Sequence, residues 1–281
     1  MSTPTPAQQS WPTTRGTVTI TPLSGIHEVV EGDDLATVVQ LGLDASGVRL
    51  AHGDIVVVSS KLASKAMGLV TDDPDKERVV AGESHYVVAE RTLGDHVTRV
   101  VHAKAGPVMA AAGVDGSNTG ERGGWLLLPH DPDAVCRDLR AGLARRHGFT
   151  VGVILSDTAG RPWRVGQVDF ALGACGLAVL DDLRGDVDAD GRPLSVTARA
   201  VADEIAAAAD LVKGKADGVP IAIVRGLADL VRPRVDEAHG LADAAGHDAP
   251  NGPTYEVPAS AADPTPEPAL GSVRGLSEAT S

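Results

Sequence analysis

The sequence predicts a mixed α/β fold, because strand-like apolar runs alternate with helical patterns along most of its length. The runs predicted as strands are VTITPL, DIVVVSS, WLLLP, VGVILSD and PIAIVRGL. Aromatic residues make up only 2% of the 281 residues, so the core must be built from closely packed small aliphatic side chains. The sequence contains no evident internal repeat of about 20 to 50 residues.

The two ends of the chain differ in composition from the middle. Residues 1–16 contain no apolar run behind basic residues, so they do not resemble a signal peptide and are predicted to be a disordered lead. Residues 233–281 are predicted to be a low-complexity, disordered tail, because they are rich in proline and alanine. We therefore expect one ordered domain over residues 17–232, without the roughly 18 consecutive apolar residues of a membrane span.

The charge balance narrows the class of partner. The chain has 25 basic and 38 acidic side chains, a net charge of -13, which argues against a nucleic-acid backbone and favours a small-molecule enzyme. Cys136 and Cys175 have neither close spacing nor metal-type spacing, so two buried thiols are favoured over a disulfide. These features predict a cytoplasmic enzyme that binds neither nucleic acid nor membrane.

A strand-to-helix junction is predicted within DIVVVSSKLASKAMG, where Ser59, Ser60, Lys61, Ser64 and Lys65 follow the apolar run. Hydroxyl and ammonium groups at such a junction can bind phosphate. The GxxxxGK spacing of a Walker A loop is missing, and lysines at such positions are also common as surface charges. Both interpretations stay open from spacing alone.

The segment AAAGVDGSNTG is the first of two candidates for cation binding. Asp115, Ser117 and Asn118 offer oxygen atoms there, and the small neighbouring residues let backbone amides approach an anion. Segments of this composition are also common as simple turns.

The second candidate is SDTAGRPWRVG, which follows the apolar run of residues 151–155. We expect Asp157 at the end of a buried strand, on a glycine-containing turn where α/β proteins gather ligands. The alternative is an ordinary Asp-Thr turn with Arg161 and Arg164 as solvated charges. Two separated aspartates on such turns are what a magnesium or manganese ion bridging phosphates would need.

Two helices are predicted further along the chain. The first begins at Asp131 with Pro132 in its first turn and ends at Gly148. The second follows Ser195 and ends at Gly214. Asp203 and Glu204 lie off the apolar stripe of the second helix, so they face either a site or solvent.

Other metal motifs are incomplete. Asp186, Asp188, Asp190 and Gly191 match the first half of a calcium loop, but Thr197 stands where the bidentate glutamate belongs, so a solvated acidic turn is favoured. The nine histidines form no HExxH spacing, and no G-x-S-x-G elbow is present. The chemistry that remains is that of a cation held by oxygen ligands.

Taken in order, EGDDL, SSKLASKA, AAAGVDGSN, LLLPHDPD, ILSDTAGRPWRVG, GDVDADGRPL, VADEIAAAADLVKG and PIAIVRGL resemble the coenzyme F420:L-glutamate ligase family over about residues 17–230. The resemblance is to the ligase domain that actinobacterial relatives often carry fused to a nitroreductase-like flavin domain. We expect no such fused domain here.

The resemblance implies an α/β (α+β) fold with mixed sheets in two intimately joined subdomains, assembled as a homodimer. It implies a GTP-dependent ligase that adds L-glutamate to the F420 precursor through an acyl phosphate, with further gamma-linked glutamates as an extension. The implied cofactors are a divalent metal, Mg²⁺ or Mn²⁺, with K⁺ as a further candidate.

The resemblance also implies roles for individual residues. Asp115 and Asp157 would hold the first metal, and Thr158 would help to hold a second. Arg161, expected as a catalytic residue beside the two aspartates, would face phosphates together with Arg164, on the grounds of charge and position more than of the resemblance. The implied nucleotide contacts are Ile26, His27, Glu28, Val29, Ser60, Lys61, Lys65, Asn118, Lys213, Gly214 and Lys215.

Three residues depart from the family pattern. Met67 replaces a glutamate, Ala111 replaces an asparagine, and Lys215 replaces a glutamate that would bind the second metal, which Asp203 or Glu204 would then hold. These departures keep two alternatives open. One is a nucleotide-binding partner of a separate flavin reductase with weak or no ligase activity, and the other is a ligase for a different acidic acceptor.

Overall fold

The computed structural model of the chain describes residues 16–93, 96–117, 119, 123–161, 164–214 and 217–232. The predicted lead, apart from Gly16, and the whole predicted tail lie outside these residues. Asn118 and Lys215, both expected to contact the nucleotide, also lie outside them. The predicted domain limits therefore stay predictions.

Helices and strands alternate, which confirms the predicted mixed α/β fold. The helices are α1 (Leu35–Ser46), α2 (Ser60–Ala66), α3 (Lys76–Gly82), α4 (Pro132–His147) and α5 (Val201–Lys213). The strands are β1 (Thr19–Leu23), β2 (Ile55–Ser59), β3 (Val70–Thr71), β4 (Ser84–Leu93), β5 (His96–Ala103), β6 (Val108–Ala110), β7 (Trp125–Leu126), β8 (Gly152–Arg161), β9 (Arg164–Cys175), β10 (Asp181–Asp182), β11 (Ala198–Arg199) and β12 (Ile221–Arg225).

A five-stranded mixed sheet has the strand order β1-β12-β2-β8-β9. β2 and β8 run parallel, with Val57 opposite Ile154, and the other neighbouring pairs are antiparallel. Four of these five strands contain apolar runs predicted from the sequence, and β9 was not predicted. Because β2 and β8 are parallel and buried along nearly all of their paired residues, both faces of the sheet must be covered.

Helices cover both faces. Successive side chains of a strand point to opposite faces, so Val56 and Val57 enter different clusters. Val56 belongs to the cluster that contains Leu43 of α1 and Leu139 of α4. Val57 belongs to the cluster that contains Ile205 of α5. Both clusters are built almost entirely from small aliphatic side chains, as the composition predicts.

A three-stranded antiparallel sheet, β4-β5-β6, lies outside the sequence prediction. Its apolar residues do not alternate cleanly with polar ones, so the period-two pattern of a half-buried strand is weak. Val101 of β5 and Met109 of β6 are buried in the core, but Tyr86, Val87 and Val88 of β4 are 60%, 50% and 50% exposed, so burial in the core does not explain these residues of β4. Long-range pairing between β4 and β5 keeps them extended instead.

The predicted ends of α4 are confirmed. The Asp131 carboxylate caps the helix by accepting a hydrogen bond of 2.7 Å from the backbone N–H of Ala134, and Pro132 is the first helical residue. Gly148 ends the helix in the left-handed conformation, with φ 76.

The predicted start of α5 is wrong, although its end at Gly214 is confirmed. The helix begins at Val201 and not directly after Ser195. The intervening residues Ala198 and Arg199 pair with β10 as a short strand, and this pairing delays the helix. Tertiary pairing therefore overrides the local helical pattern.

Two predictions from composition concern thiols and membranes. Cys136 and Cys175 are free and buried, which confirms the preference for thiols over a disulfide. Across the described parts of the chain, no helix combines the length and apolar character needed to cross a bilayer.

Candidate functional site

A pocket of about 270 Å³ lies at the carboxyl ends of the parallel strands β2 and β8. Ligands of α/β proteins often bind at this edge, because loops and helix starts converge there. The lining residues are Ile26, His27, Glu28, Val29, Ser59, Lys61, Leu62, Lys65, Ser156, Asp157, Thr158, Asp169, Asp210, Lys213, Gly214, Gly218, Val219 and Pro220. Most of the residues implied by the resemblance are therefore gathered in one place.

The junction predicted around Ser59 and Ser60 forms one wall of this pocket. β2 ends at Ser59, whose backbone is extended, and α2 begins at Ser60 without an intervening loop. The Ser60 side chain is fully buried, and its Oγ donates a hydrogen bond of 2.9 Å to Oδ1 of Asp157. The junction thus connects the first turn of α2 to β8.

The prediction that Asp157 lies on a turn is wrong. Asp157 lies inside β8, opposite Phe170 of β9, and β8 continues to Arg161. The fully buried part of the strand ends at Ser156, which made the strand look shorter in the sequence. Backbone pairing with β9 keeps the chain extended beyond the core, and an irregularity between Leu155 and Ser156 shifts the register there.

The environment of Asp157 disfavours the charged form of its carboxyl group. Burial raises its pKa from 3.8 to about 6, although hydrogen bonds from the Ser60 hydroxyl and the Thr158 backbone N–H act in the opposite direction. The nearby Asp169 carboxylate raises the pKa further. A positive ion beside Asp157 would relieve this cost, because it would favour the charged form.

Asp115 lies directly before the predicted turn, in an isolated β-bridge. Its backbone pairs with Leu126, and its side chain accepts hydrogen bonds from the Ser117 backbone N–H (2.8 Å) and hydroxyl (2.9 Å). The Lys61 ammonium lies 2.6 Å from Asp115 Oδ2 and also donates to the Ser117 hydroxyl. Burial alone would raise the pKa of Asp115, but Lys61 and Ser117 together hold it below its ordinary value.

The two aspartates therefore meet neighbouring residues of one helix. Asp157 contacts Ser60, and Asp115 contacts Lys61, the next residue of α2. Asp115 is not among the residues that line the pocket, but its partner Lys61 is. α2 therefore contacts both of the segments that carry the two aspartates.

The turn before Asp115 contains unusual backbone. Ala111 and Ala112 have φ values of 50 and 52, in the left-handed region that side chains other than asparagine and glycine rarely adopt. Ala111 is the residue that replaces an asparagine of the family pattern. The structure thus gives a physical reason for asparagine at this position.

We expect Ala111→Asn to raise the free energy of unfolding by about 0.5–1 kcal/mol, because asparagine tolerates the left-handed conformation better than alanine. Urea unfolding of both proteins measures the difference. Ala110→Asn is the matched control, since Ala110 is exposed and has an extended backbone with φ -69. Equal stabilities of the two variants would contradict the explanation.

The two lysines of α2 point to carboxylates and not to open solvent. The Lys65 side chain is 15% exposed and its ammonium contacts Glu28, while the Lys61 side chain is 27% exposed. Glu28 lies in the segment of residues 26–29, which lines the opposite side of the pocket. The alternative that these lysines are solvated surface charges does not fit their burial.

A buried cluster that the sequence analysis missed lies next to Asp157. The Lys213 side chain is 4% exposed, and its ammonium donates to Asp169 Oδ2 (2.7 Å) and Ser156 Oγ (2.6 Å). Thr158 Oγ1 donates a hydrogen bond of 2.5 Å to Asp169 Oδ1. Burial would raise the pKa of Asp169, but the Lys213 charge and the hydrogen bonds from Lys213, Thr158 and Ser156 together lower it. In the sequence, the feature that could have pointed to this cluster is Asp169, which stands directly before the apolar run FALGAC.

Several predicted residues lie away from the pocket lining. The Arg161 guanidinium binds the backbone carbonyls of Val165 and Gly166 within the β8–β9 hairpin. Asp203 accepts a hydrogen bond of 2.9 Å from the Ala171 backbone N–H. Glu204 accepts one of 2.8 Å from the side chain of Arg199. These contacts favour a structural role for Arg161. They also favour structural roles for Asp203 and Glu204 over the suggested role in holding a second metal.

The partial calcium motif forms an acidic turn that bonds to itself. Asp188 Oδ1 accepts hydrogen bonds from the backbone N–H groups of Asp190 and Arg192, at 2.9 Å and 2.8 Å. The Asp190 carboxylate pairs with the Arg192 side chain, and both are largely exposed. This arrangement agrees with the solvated turn that the sequence favoured over a calcium loop.

The donor set beside α2 fits a hard divalent cation that arrives with phosphate. No group of three or more carboxylate, imidazole or thiol side chains in the described residues could hold a metal on its own. The two aspartates offer oxygen ligands, and a magnesium-type ion takes its remaining positions from waters and phosphate oxygens. Such an ion would have to replace the Lys61 ammonium at Asp115.

Comparison with known proteins places the chain in a family. The family model described as F420-0:Gamma-glutamyl ligase matches residues 25–226. The chain is similar to the coenzyme F420:L-glutamate ligase of Archaeoglobus fulgidus, with 39% identity covering 75% of this chain and 88% of the relative. The enzyme of the same name from Methanopyrus kandleri is 38% identical, with the same coverage. That of Halobacterium salinarum is 39% identical, covering 72% of this chain and 85% of the relative.

Proposed function

The chain belongs to the coenzyme F420:L-glutamate ligase family, and on this premise we propose that it joins L-glutamate to the F420 precursor through an amide bond, with GTP as the co-substrate. The proposal rests on the fact that the family model covers every residue that lines the pocket. The matched residues 25–226 contain the whole lining of the pocket, from Ile26 to Pro220. The candidate site therefore lies within the part of the chain that the family model matches.

The proposed reaction has two steps. In the first, a carboxylate oxygen of the precursor attacks the γ-phosphorus of GTP, which gives an acyl phosphate and GDP. In the second, the glutamate amine attacks the acyl carbon, an amide bond forms and phosphate leaves, while the amine loses its proton. Neither step needs a covalent protein nucleophile, so the protein contributes positioning and neutralisation of charge.

In this proposal Asp157 and Asp115 hold a divalent cation. The ion supplies positive charge to the phosphate oxygens when it is bound. The raised pKa of Asp157 suits this role, because the buried carboxylate gains more from a positive neighbour than a solvated one does. Ser60 fixes the orientation of the Asp157 carboxylate through its hydrogen bond.

The lysines of α2 are the proposed phosphate contacts. Lys61 contacts Asp115, and Lys65 contacts Glu28. A cation at Asp115 would replace the Lys61 ammonium, and the released ammonium could then donate to a phosphate oxygen. These local positive charges explain how a chain with a net charge of -13 can accept a triphosphate.

A product assay tests the proposal. Purified protein is incubated with the unglutamylated F420 precursor, L-glutamate, GTP and Mn²⁺, and the products are analysed by mass spectrometry. We expect the precursor to gain the mass of one glutamyl residue, with one GDP formed for each amide bond. Omission of GTP or of the metal should abolish the product.

Each other outcome of this assay identifies a different function. GTP binding without any turnover would contradict the ligase and favour a nucleotide-binding partner of a separate flavin reductase. Turnover only with another acidic acceptor, such as a folate, would favour a ligase for that acceptor. The homodimer, the K⁺ ion, the cytoplasmic location and the number of glutamates added stay predictions.

A further inference from the structure

One acidic side chain of the pocket has no bonding partner in the described residues. The lining contains four carboxylates, those of Glu28, Asp157, Asp169 and Asp210. The first three each have a hydrogen bond or an ion pair with a neighbouring side chain. The half-buried Asp210 side chain has neither with any residue that the structure describes. A ligand of the pocket is therefore the partner to consider for Asp210.

The position of Asp210 in α5 does not compensate its charge. Asp210 lies in the last turn of the helix, which ends at Lys213, and its backbone carbonyl accepts a hydrogen bond of 3.2 Å from the Gly214 N–H. The carboxyl end of a helix carries a partial negative charge, so a carboxylate there is unfavourable. Helix formation thus gives no reason for an aspartate at this position.

The pocket is built from both faces of the five-stranded sheet. Leu62 of α2 belongs to the core cluster on one face, and Ala209 of α5 belongs to the cluster on the other face. Lys61 and Lys65 therefore reach the pocket from the α2 side, and Asp210 reaches it from the α5 side. Phosphates are attracted to the two lysines and repelled by a carboxylate, so the nucleoside end of a nucleotide is left for Asp210.

The edge of a purine base decides whether a carboxylate can bind it. A carboxylate has two oxygens that only accept hydrogen bonds. Guanine presents two adjacent donors, N1–H and the 2-amino group, which match the two oxygens as a bidentate pair. Adenine presents the acceptor N1 beside its amino group, so one carboxylate oxygen would face a lone pair. A carboxylate in this place would therefore select guanine against adenine.

The amine of glutamate is the other donor that a carboxylate could hold. The amine must reach the acyl carbon beside the cation that we place at Asp157, and Asp157 is bonded to α2 through Ser60. This requirement puts the amine on the α2 side of the pocket. Guanine is therefore the better match for Asp210 on the α5 side.

We propose that Asp210 determines the nucleotide specificity of the pocket, by accepting hydrogen bonds from N1–H and the 2-amino group of guanine. The inference rests on the proposed function, which names GTP as the co-substrate. It goes further in assigning the choice of base to one side chain.

Removing one donor from the base tests the contact. IDP is GDP without the 2-amino group, so the wild type should bind IDP about tenfold or more weakly than GDP, the cost of a hydrogen bond to a charged acceptor. Asp210→Ala should weaken GDP binding and bring the affinities for GDP and IDP within about twofold of each other. Isothermal titration calorimetry in the presence of Mg²⁺ measures both. Equal affinities in the wild type, or an unchanged ratio in the variant, would overturn the proposal.

Asp210→Asn should change the preferred base. Asparagine carries one acceptor and one donor in place of two acceptors. Xanthine, with N1–H beside a carbonyl at C2, matches this pair. The variant should bind XDP at least about tenfold more tightly than the wild type does, and GDP at least about tenfold more weakly. Loss of structure cannot produce a gain for XDP, and a loss for all nucleotides without this gain would contradict the proposal.

Asp217→Asn is the matched control. The Asp217 carboxylate lies beside Gly214, but Asp217 is exposed and does not line the pocket. Its substitution removes the same charge near the same end of α5. The ratio of the GDP and XDP affinities should stay within about twofold of the wild-type ratio. A change as large as that in Asp210→Asn would show that charge alone is responsible, and the proposal would fail.

The remaining outcomes are also informative. Circular dichroism is recorded for every variant, and the comparison of GDP with IDP in the wild type needs no variant, so it carries the test if a variant does not fold. An unchanged nucleotide preference in Asp210→Asn with a raised KM for L-glutamate would assign Asp210 to the amine and overturn the proposal. Binding is measured without precursor or glutamate. A wild type that forms the glutamyl product but does not discriminate against IDP would refute this inference and leave the ligase intact.

Discussion

Replacing Asp157 by asparagine should lower the rate of glutamyl product formation about a thousandfold while leaving the metal-free protein at least as stable at neutral pH. A metal ligand at a phosphoryl-transfer site contributes several kcal/mol, and about 4 kcal/mol corresponds to that factor. Asparagine has nearly the same size and can still accept the hydrogen bond from Ser60, so no cavity forms. Product formation under saturating substrates measures the first effect.

The stability effect of Asp157→Asn follows from the direction of the pKa shift. The pKa of Asp157 is about 6 in the folded protein, against an ordinary value of 3.8. Between pH 3.8 and about pH 6, the folded state binds more protons than the unfolded state. The folded protein therefore loses stability as the pH rises through this window. Above about pH 6 the charged carboxylate therefore destabilises the native state, on the order of 1–3 kcal/mol.

Urea unfolding of the metal-free proteins at pH 4 and pH 7 checks this reasoning. The asparagine variant should gain stability over the wild type at pH 7, and most of the gain should disappear at pH 4. A variant that is less stable than the wild type at pH 7 would show that the charged form of Asp157 is favoured in the fold. Near-normal turnover would show that Asp157 is not a metal ligand.

Asp115→Asn should also lower the rate of product formation, by about a hundredfold or more, but with the opposite effect on stability. The pKa of Asp115 is held below its ordinary value, because the Lys61 ammonium and the Ser117 N–H and hydroxyl favour the charged form. Asp115 thus stabilises the fold at neutral pH, and this contribution is lost as pH falls through the lowered pKa. Since its side chain is 43% exposed, solvent reduces the contribution to at most a few tenths of a kcal/mol.

Asp182→Asn is the matched control for Asp115→Asn. Asp182 is also an aspartate paired with a cation, Arg184, and its substitution changes the net charge by the same amount. Its carboxylate binds Arg184, which belongs neither to α2 nor to the pocket lining, so turnover should not change. Equal turnover of the Asp115→Asn and Asp182→Asn variants would exclude Asp115 from the site.

Local chemistry made parts of this structure predictable from the sequence. The ends of α4 follow from Asp131 and Gly148, whose capping roles depend only on neighbouring residues. The junction at Ser60 follows from an apolar run and a helical pattern in direct succession. Such features need no knowledge of distant parts of the chain.

Features that depend on long-range pairing were missed or misplaced. Asp157 was expected on a turn, because nothing near it in the sequence shows that β9 pairs with β8 beyond the core. The hydrogen bonds of Asp169 link it to Lys213, 44 residues away, so the cluster exists only in the folded chain. The β4-β5-β6 sheet has exposed apolar residues that no burial pattern could indicate.

The central claim is that carboxylates from two distant segments, Asp115 and Asp157, hold one cation next to a phosphate chain. A crystal soaked with Mn²⁺ and GDP tests it most directly, because anomalous scattering locates manganese independently of other atoms. The account predicts one anomalous peak within about 2.0–2.6 Å of a carboxylate oxygen of each aspartate, with Lys61 displaced from Asp115 towards a phosphate oxygen. A peak bound by only one of the two aspartates, or by neither, would contradict it.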